Sequence, residues 1–152
     1  MQNKKRNSTS DKQHFVSQGP AETEKIGRDF AQLLKPGDVV ALCGDLGTGK
    51  TVITRGIVAG LSADHDIFVA SPSFTIIIEY PTPIPIYHID LFRLQPEDIE
   101  DLGLEDYMSE NGITIIEWAE KMPYLPAEIW HVQLTWLDEN RRDIVIIRQD
   151  SL

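Results

Sequence analysis

The sequence predicts an α/β fold in three layers, with a mixed parallel and antiparallel sheet. Two observations carry that reading. The first is the stretch Gly44-Asp45-Leu46-Gly47-Thr48-Gly49-Lys50-Thr51, which satisfies G-x-x-x-x-G-K-[ST] at every fixed position. The second is its flanks. Val39 to Cys43 is a short apolar run that reads as a buried strand. Val52 to Leu61 reads as a helix, with Val52, Ile53, Ile57, Val58 and Leu61 forming its apolar stripe. Strand, glycine loop and helix start are the context a phosphate-binding loop requires, and they place the chain in the P-loop NTPase class.

The chemistry of the loop follows from its residue types. Glycines at 44, 47 and 49 allow positive φ and close approach to an anion. Successive N–H groups and the helix N-terminus then favour phosphate. Gly44, Asp45, Leu46, Gly47, Thr48, Gly49, Lys50 and Thr51 are the expected nucleotide contacts. Lys50 brings a positive charge to the outer phosphates, and the Thr51 hydroxyl suits Mg2+.

Length and charge bound the rest. A chain of 152 residues suits one domain with a real core. The net charge of −10 argues against a freestanding nucleic-acid binder. Residues 1–12 carry +3, so the remainder carries −13. Residues 1–16, rich in Lys, Asn, Ser, Thr and Gln, read as a disordered, basic, solvated tail before a single domain over 17–152. The one cysteine, Cys43, excludes an internal disulfide and reads as strand packing. No apolar run approaches the ~18 residues of a membrane span, and no secretion signal opens the chain. A cytoplasmic protein is expected.

The elements follow in order. Pro20 to Leu34 reads as a helix, with Ile26, Phe30, Leu33 and Leu34 on one face and Pro20 at a first helical position. Pro36-Gly37-Asp38 turns the chain into the P-loop strand. Beyond the P-loop helix, Ile67 to Ala70, Phe74 to Tyr80 and Ile86 to Leu91 read as strands, the last two as an antiparallel pair. Pro96 to Leu102 starts like a helix with an acidic first turn, and Leu104 to Ser109 reads as a second short one. Ile113 to Ile116 is a buried-type strand ending at Glu117. Ile129 to Leu137 and Ile144 to Arg148 alternate apolar and polar residues, which predicts a hairpin across the polar link 138–143.

Hydrolysis needs carboxylates as well as a loop. Glu117 closes an apolar strand, where a metal-binding acid belongs, and Asp90 follows Tyr87-His88-Ile89 in the same kind of position. Lys50, Asp90 and Glu117 are thus the candidate catalytic residues, and Thr51, Glu117 and Asp90 the candidate metal ligands. Ser71-Pro72-Ser73-Phe74-Thr75 is either turn chemistry or a switch loop sensing the γ-phosphate through Ser71, Ser73 and Thr75. Trp118 and the Arg141/Arg142 pair fit an adenine face, or equally the core and solvent. His88, between apolar neighbours, reads as a packed histidine.

Taken together, G-D-L-G-T-G-K-T at 44–51, S-P-S-F-T at 71–75, Y-H-I-D-L-F-R-L at 87–94 and I-I-E-W at 115–118 resemble the TsaE (formerly YjeE) family in order and spacing. Glu22-Thr23-x-x-x-Gly27 fits as well, and the resemblance spans roughly residues 20 to 142. It implies a P-loop ATPase with Mg2+, slow alone, that works with TsaD and TsaB in threonylcarbamoyladenosine modification of tRNA. Those partners, with TsaC, make the modification, and tRNA is met only indirectly. It implies Thr51 and Glu117 as metal ligands, Asp90 as a catalytic or metal-orienting acid, and residues near Gln18 to Thr23, with Arg141, toward the adenine. Ser73 and Phe92 stand where the family usually has threonine and tyrosine. A monomer or weak self-association is expected for the protein alone. The competing readings are a non-catalytic nucleotide switch and a small-molecule kinase. A kinase fits less well, since about 100 residues follow the P-loop and none form an arginine-rich lid. A GTPase would need an N-K-x-D segment, which is absent downstream of the P-loop.

Overall fold

The computed structural model describes residues 12–45, 47–62, 69, 76–108 and 111–150. Seven strands form one sheet in the order β1-β7-β6-β2-β5-β4-β3. They are β1 (Lys12–Ser17), β2 (Val39–Cys43), β3 (Ile77–Tyr80), β4 (Ile86–Asp90), β5 (Ile113–Glu117), β6 (Ile129–Trp136) and β7 (Arg142–Gln149). The four central strands β6, β2, β5 and β4 run parallel. The outer strands β7, β1 and β3 are antiparallel to their neighbours. The mixed α/β sheet is the predicted one, with its parallel part around the P-loop strand.

Central strands bury both faces, so they need apolar residues at successive positions. Val39 to Leu42 are all buried, as is the whole of β5. Alternation still sorts the side chains. Val40, Leu42, Ile113 and Ile115 face α1 (Pro20–Ala31) and α2 (Lys50–Leu61), together with Phe30, Ile53 and Ile57. Val39, Ala41, Ile89 and Ile116 face the thinner layer, made by α3 (Pro96–Glu100) and short 3-10 turns at Leu104–Tyr107 and Ala119–Lys121.

The two long helices pack closely because glycines line their crossing. A Cβ on Gly56 would lie 2.1 Å from the Glu24 carbonyl oxygen, and one on Gly27 would lie 2.5 Å from that of Ile53. Only hydrogen fits there. This accounts physically for Gly27, which entered the sequence reading only through the resemblance.

Three expectations are corrected. Residues 12–16, assigned to the disordered tail, belong to β1, which pairs with β7 from Lys12↔Ile147 to Ser17↔Arg142. The polar composition that suggested disorder reflects an exposed edge strand, buried only at Ser17. Leu33 leaves the apolar face of α1 and is 47% exposed. The helix ends at Ala31, and the chain continues in turns bonded to Asp29, Phe30 and Ala31. The helix expected to reach Leu102 stops at Glu100, and Gly103 turns the chain with φ 63°. The expected strand over 67–70 lies outside the described residues except for Val69, which is buried. Among the described residues no helix is long and apolar enough to cross a membrane.

Candidate functional site

The carboxyl ends of β2, β4 and β5 and the N-terminus of α2 meet at one place. Ligands of open α/β sheets bind at such strand ends. Residues two apart on a strand share a face, so Ile113, Ile115 and Glu117 all point toward α2, as do Ile86, His88 and Asp90. Register sets Asp90 beside Glu117.

Gly44, Gly47 and Gly49 all have positive φ. Gly44 is the most constrained. Its φ is +152°, and a Cβ there would approach the Leu134 carbonyl oxygen to 2.6 Å and the Thr48 hydroxyl to 2.7 Å. At Gly44 the loop thus lies against β6 with no space for a side chain. Thr48 is buried and donates its hydroxyl to the Asp45 carbonyl at 2.8 Å, closing the loop on itself. Leu46 lies outside the described residues.

Lys50 is 5% exposed. Its ammonium donates to the carbonyls of Gly44 (2.6 Å) and Asp45 (2.8 Å) and sits 4.2 Å from the centre of the Trp118 ring. Burial holds its pKa below the ordinary lysine value, against the opposing pull of Glu117, Glu120, Asp90 and Asp45. Trp118 alone among the described non-glycine residues has positive φ, at 60°. That left-handed backbone, costly for an aromatic residue, turns the indole over Lys50 and against Phe92, whose ring centroid is 5.1 Å away. Lys121 donates to the Phe92 (2.7 Å) and Leu94 (3.1 Å) carbonyls and so pins the segment after β4.

Glu117 is 2% exposed and well partnered. Its Oε1 accepts the Thr51 hydroxyl at 3.2 Å, and its Oε2 lies 2.5 Å from His88 Nε2. His88 is indeed packed, at 0% exposure, with Nδ1 3.0 Å from the Tyr80 hydroxyl. Its bond to the site carboxylate is what sequence reading missed. The available signal was the two-residue spacing of His88 and Asp90 on one strand face. Asp90 accepts the Phe92 N–H at 3.0 Å and borders the cavity.

A cavity of about 320 Å³ lies between Gly49, Lys50, Thr51, Asp90, Glu117 and Trp118. It unites every described catalytic and metal-ligand candidate. A smaller one, about 120 Å³, lies across Gly47 and Gly49 against Gly19, Thr23, Asn140 and Arg142. A larger cavity, about 520 Å³, opens beside Cys43, Gly44, Asp45, Glu120, Gln133 and Trp136, and neither Lys50 nor Thr51 lines it. Size does not select the chemistry here; donor set does.

Two adenine-side candidates diverge. Thr23 lines the smaller cavity, its hydroxyl 2.7 Å from that of Ser17. Arg141 does not reach it. Its guanidinium is bound to Asp138 at 2.7 Å within the β6–β7 connection, and that bond holds the Asp138 carboxyl below its usual range. The neighbouring Arg142 takes the place instead, donating to the Gly47 carbonyl at 3.2 Å. The turn at 138–141 decides which of two adjacent arginines faces the loop. Ser71, Ser73 and Thr75 lie outside the described residues.

The donor set fits Mg2+. Thr51 and Glu117 present hard oxygen atoms to each other at the cavity edge, with Asp90 bordering the same space. Among the described residues no group of three or more His, Cys, Asp or Glu is placed to hold a metal by itself. Burial pushes the Cys43 thiol up to about 11, so it is not a nucleophile at neutral pH.

The chain matches the family model "Threonylcarbamoyl adenosine biosynthesis protein TsaE" over residues 17–144. It is 43% identical over 129 residues to the tRNA threonylcarbamoyladenosine biosynthesis protein TsaE of Nostoc sp., covering 82% of this chain and 78% of that one. The corresponding Bacillus subtilis protein is 41% identical over 127 residues, with the same coverage of each. The crystal structure of Bacillus subtilis YdiB superposes with a TM-score of 0.72 at 32% identity, covering 92% of this chain and 87% of that one.

Proposed function

This chain belongs to the TsaE family of threonylcarbamoyladenosine biosynthesis proteins, and we propose that it is an ATPase subunit of that machinery. It binds ATP with Mg2+, hydrolyses it to ADP and phosphate, and does so in support of TsaD and TsaB. It does not itself transfer the threonylcarbamoyl group, and it works in the cytoplasm as one P-loop domain. The acidic body leaves tRNA capture to the partners.

One observation carries the proposal: the P-loop threonine and the strand-end carboxylate Glu117 share a hydrogen bond at the edge of the cavity that Lys50 borders. Loop N–H groups hold the phosphates, and the Lys50 ammonium exchanges its two loop carbonyls for phosphate oxygens. Thr51 and Glu117 would hold Mg2+, which would supply neutralisation of charge on the phosphates. Asp90 and Glu117 are the carboxylates available to orient water for in-line attack on the γ-phosphorus. Trp118 and Phe92 cover one side of the cavity and limit bulk water.

The test is phosphate release from ATP with Mg2+, for the protein alone and with TsaD and TsaB added, beside Glu117→Ala and Asp90→Ala. Slow turnover that the partners raise and both substitutions abolish is the expected result. Tight ATP binding without turnover in either condition replaces the ATPase with a nucleotide switch. Phosphate transfer to an added small-molecule acceptor makes it a kinase.

A further inference from the structure

Glu117 is a buried carboxylate, and each of its oxygens has a defined partner. Thr51 takes Oε1. On the other side, His88 Nε2 lies 2.5 Å from Oε2. An ionised carboxylate only accepts hydrogen bonds, so the imidazole carries a proton on Nε2. In the neutral imidazole Nδ1 is then left to accept, and the Tyr80 hydroxyl, 3.0 Å away, is placed to donate to it. The two rings lie nearly parallel, 24° apart with centroids at 6.0 Å. Tyr80 is 4% exposed and His88 0% exposed. Strand register builds the arrangement: β3 and β4 pair Ile78↔His88 and Tyr80↔Ile86, while β4 and β5 pair Asp90↔Glu117.

A buried histidine with both nitrogens satisfied serves packing equally well. What separates the two roles is the identity of the last acceptor. This chain of bonds ends on the carboxylate that also meets Thr51. A carboxylate with both oxygens free could rotate or bind an ion through two oxygens. One with Oε2 held by an imidazole N–H presents Oε1 alone, aimed at Thr51.

We propose that His88 and Tyr80 are positioning residues: a buried pair that locks one oxygen of Glu117, so that the other faces Thr51 and the Mg2+ of the bound nucleotide. This rests on the ATPase reading above. Neither residue lines the cavity. Their effect is on how readily the metal is held, as hydrogen-bond partners of metal ligands affect affinity by about 10- to 100-fold.

The experiment uses the full chain as wild type, His88→Gln, His88→Leu and Tyr80→Phe. Binding of a fluorescent ADP (mant-ADP) is titrated against Mg2+ and repeated in EDTA. Long-range 1H–15N spectra of histidine-labelled protein locate the His88 proton, the signal being assigned by its loss in His88→Gln. The expected spectrum has the proton on Nε2. His88→Leu should raise the Mg2+ concentration for half-maximal binding about 10-fold or more, and His88→Gln, which keeps an N–H near Glu117, by about 3-fold or less. Tyr80→Phe should fall between them. Affinity in EDTA should stay unchanged throughout, which a merely destabilised protein would not show. Nε2 without a proton overturns the proposal. So does an unchanged Mg2+ requirement in folded His88→Leu. If that variant fails to fold, an unchanged requirement in Tyr80→Phe is equally decisive. Wild-type protein that binds no mant-ADP overturns the ATPase reading instead, and the position of the His88 proton then judges the pair by itself.

Discussion

Helix α2 meets two different surroundings along its twelve residues. Its first turn is polar and borders open space: Lys50 is tied to loop carbonyls, Thr51 to Glu117, and cavities lie on either side. Its body is sealed against α1, where Gly56 and Gly60 leave no room for a methyl group, and against the sheet through Ile53 and Ile57. One helix is thus clamped at one end and left free to meet a ligand at the other. The close-packed body fixes where the functional turn sits, since packed interiors do not deform continuously. Buried polar groups are tolerated in the first turn because each described one has a named partner.

The largest expected effect breaks the clamped end. Gly56→Ala places a Cβ on the backbone of Glu24 and should cost about 3 kcal/mol in urea unfolding. Gly47→Ala is the matched control in the open region. Nothing lies within 4 Å of its Cβ position, so only the strain of φ +79° remains, about 1 kcal/mol. Equal losses would dissolve the contrast between the two ends.

At the open end, Lys50→Ala should weaken ATP binding about 100-fold, since charge-assisted bonds to phosphate are lost. Unchanged affinity by calorimetry would remove the P-loop assignment. Glu117→Ala should instead keep ATP affinity in EDTA and lower Mg2+-dependent turnover about 100-fold.

Smaller effects sharpen the contrast further. Trp118→Gly and Trp118→Ala both delete the indole, but only glycine accepts φ 60° without strain. The glycine variant should be more stable by about 1 kcal/mol, measured by denaturant unfolding. The last prediction concerns alkaline pH. Burial, with a smaller effect of Glu117, pushes the Tyr80 phenol from 10.0 to about 12. The unfolded chain therefore loses this proton first. Its contribution to stability is complete below about pH 10 and disappears as pH rises through 12. The stability difference between wild type and Tyr80→Phe should shrink across that window, and a flat difference would mean that Tyr80 ionises freely in the fold.

Much of this was legible because it is local. The P-loop pattern, its flanking strand and helix, and Glu117 at the end of an apolar run each declare themselves within ten residues. The antiparallel pairs β3–β4 and β6–β7 were readable because short links join alternating or β-branched runs. Edge strand β1 was not. Its partner β7 is more than 120 residues away in the chain, and an exposed strand has the polar composition of a tail. Arg142 was read only as one of a pair, and Arg141 was preferred, because only the turn at Asp138 fixes which of the two adjacent arginines faces the loop.

By itself the sequence determined the family, since that depends on residue types at fixed short spacings. It also set the parallel core, since strands covered on both faces must be apolar throughout. Tertiary structure alone decided which glycines are spacers between helices, which arginine approaches the loop, and that a packed histidine holds the site carboxylate. Each of those depends on two segments distant in sequence meeting at a particular register. A hydrogen bond or a steric contact requires both partners to be placed to within fractions of an ångström, and spacing along one segment cannot supply that.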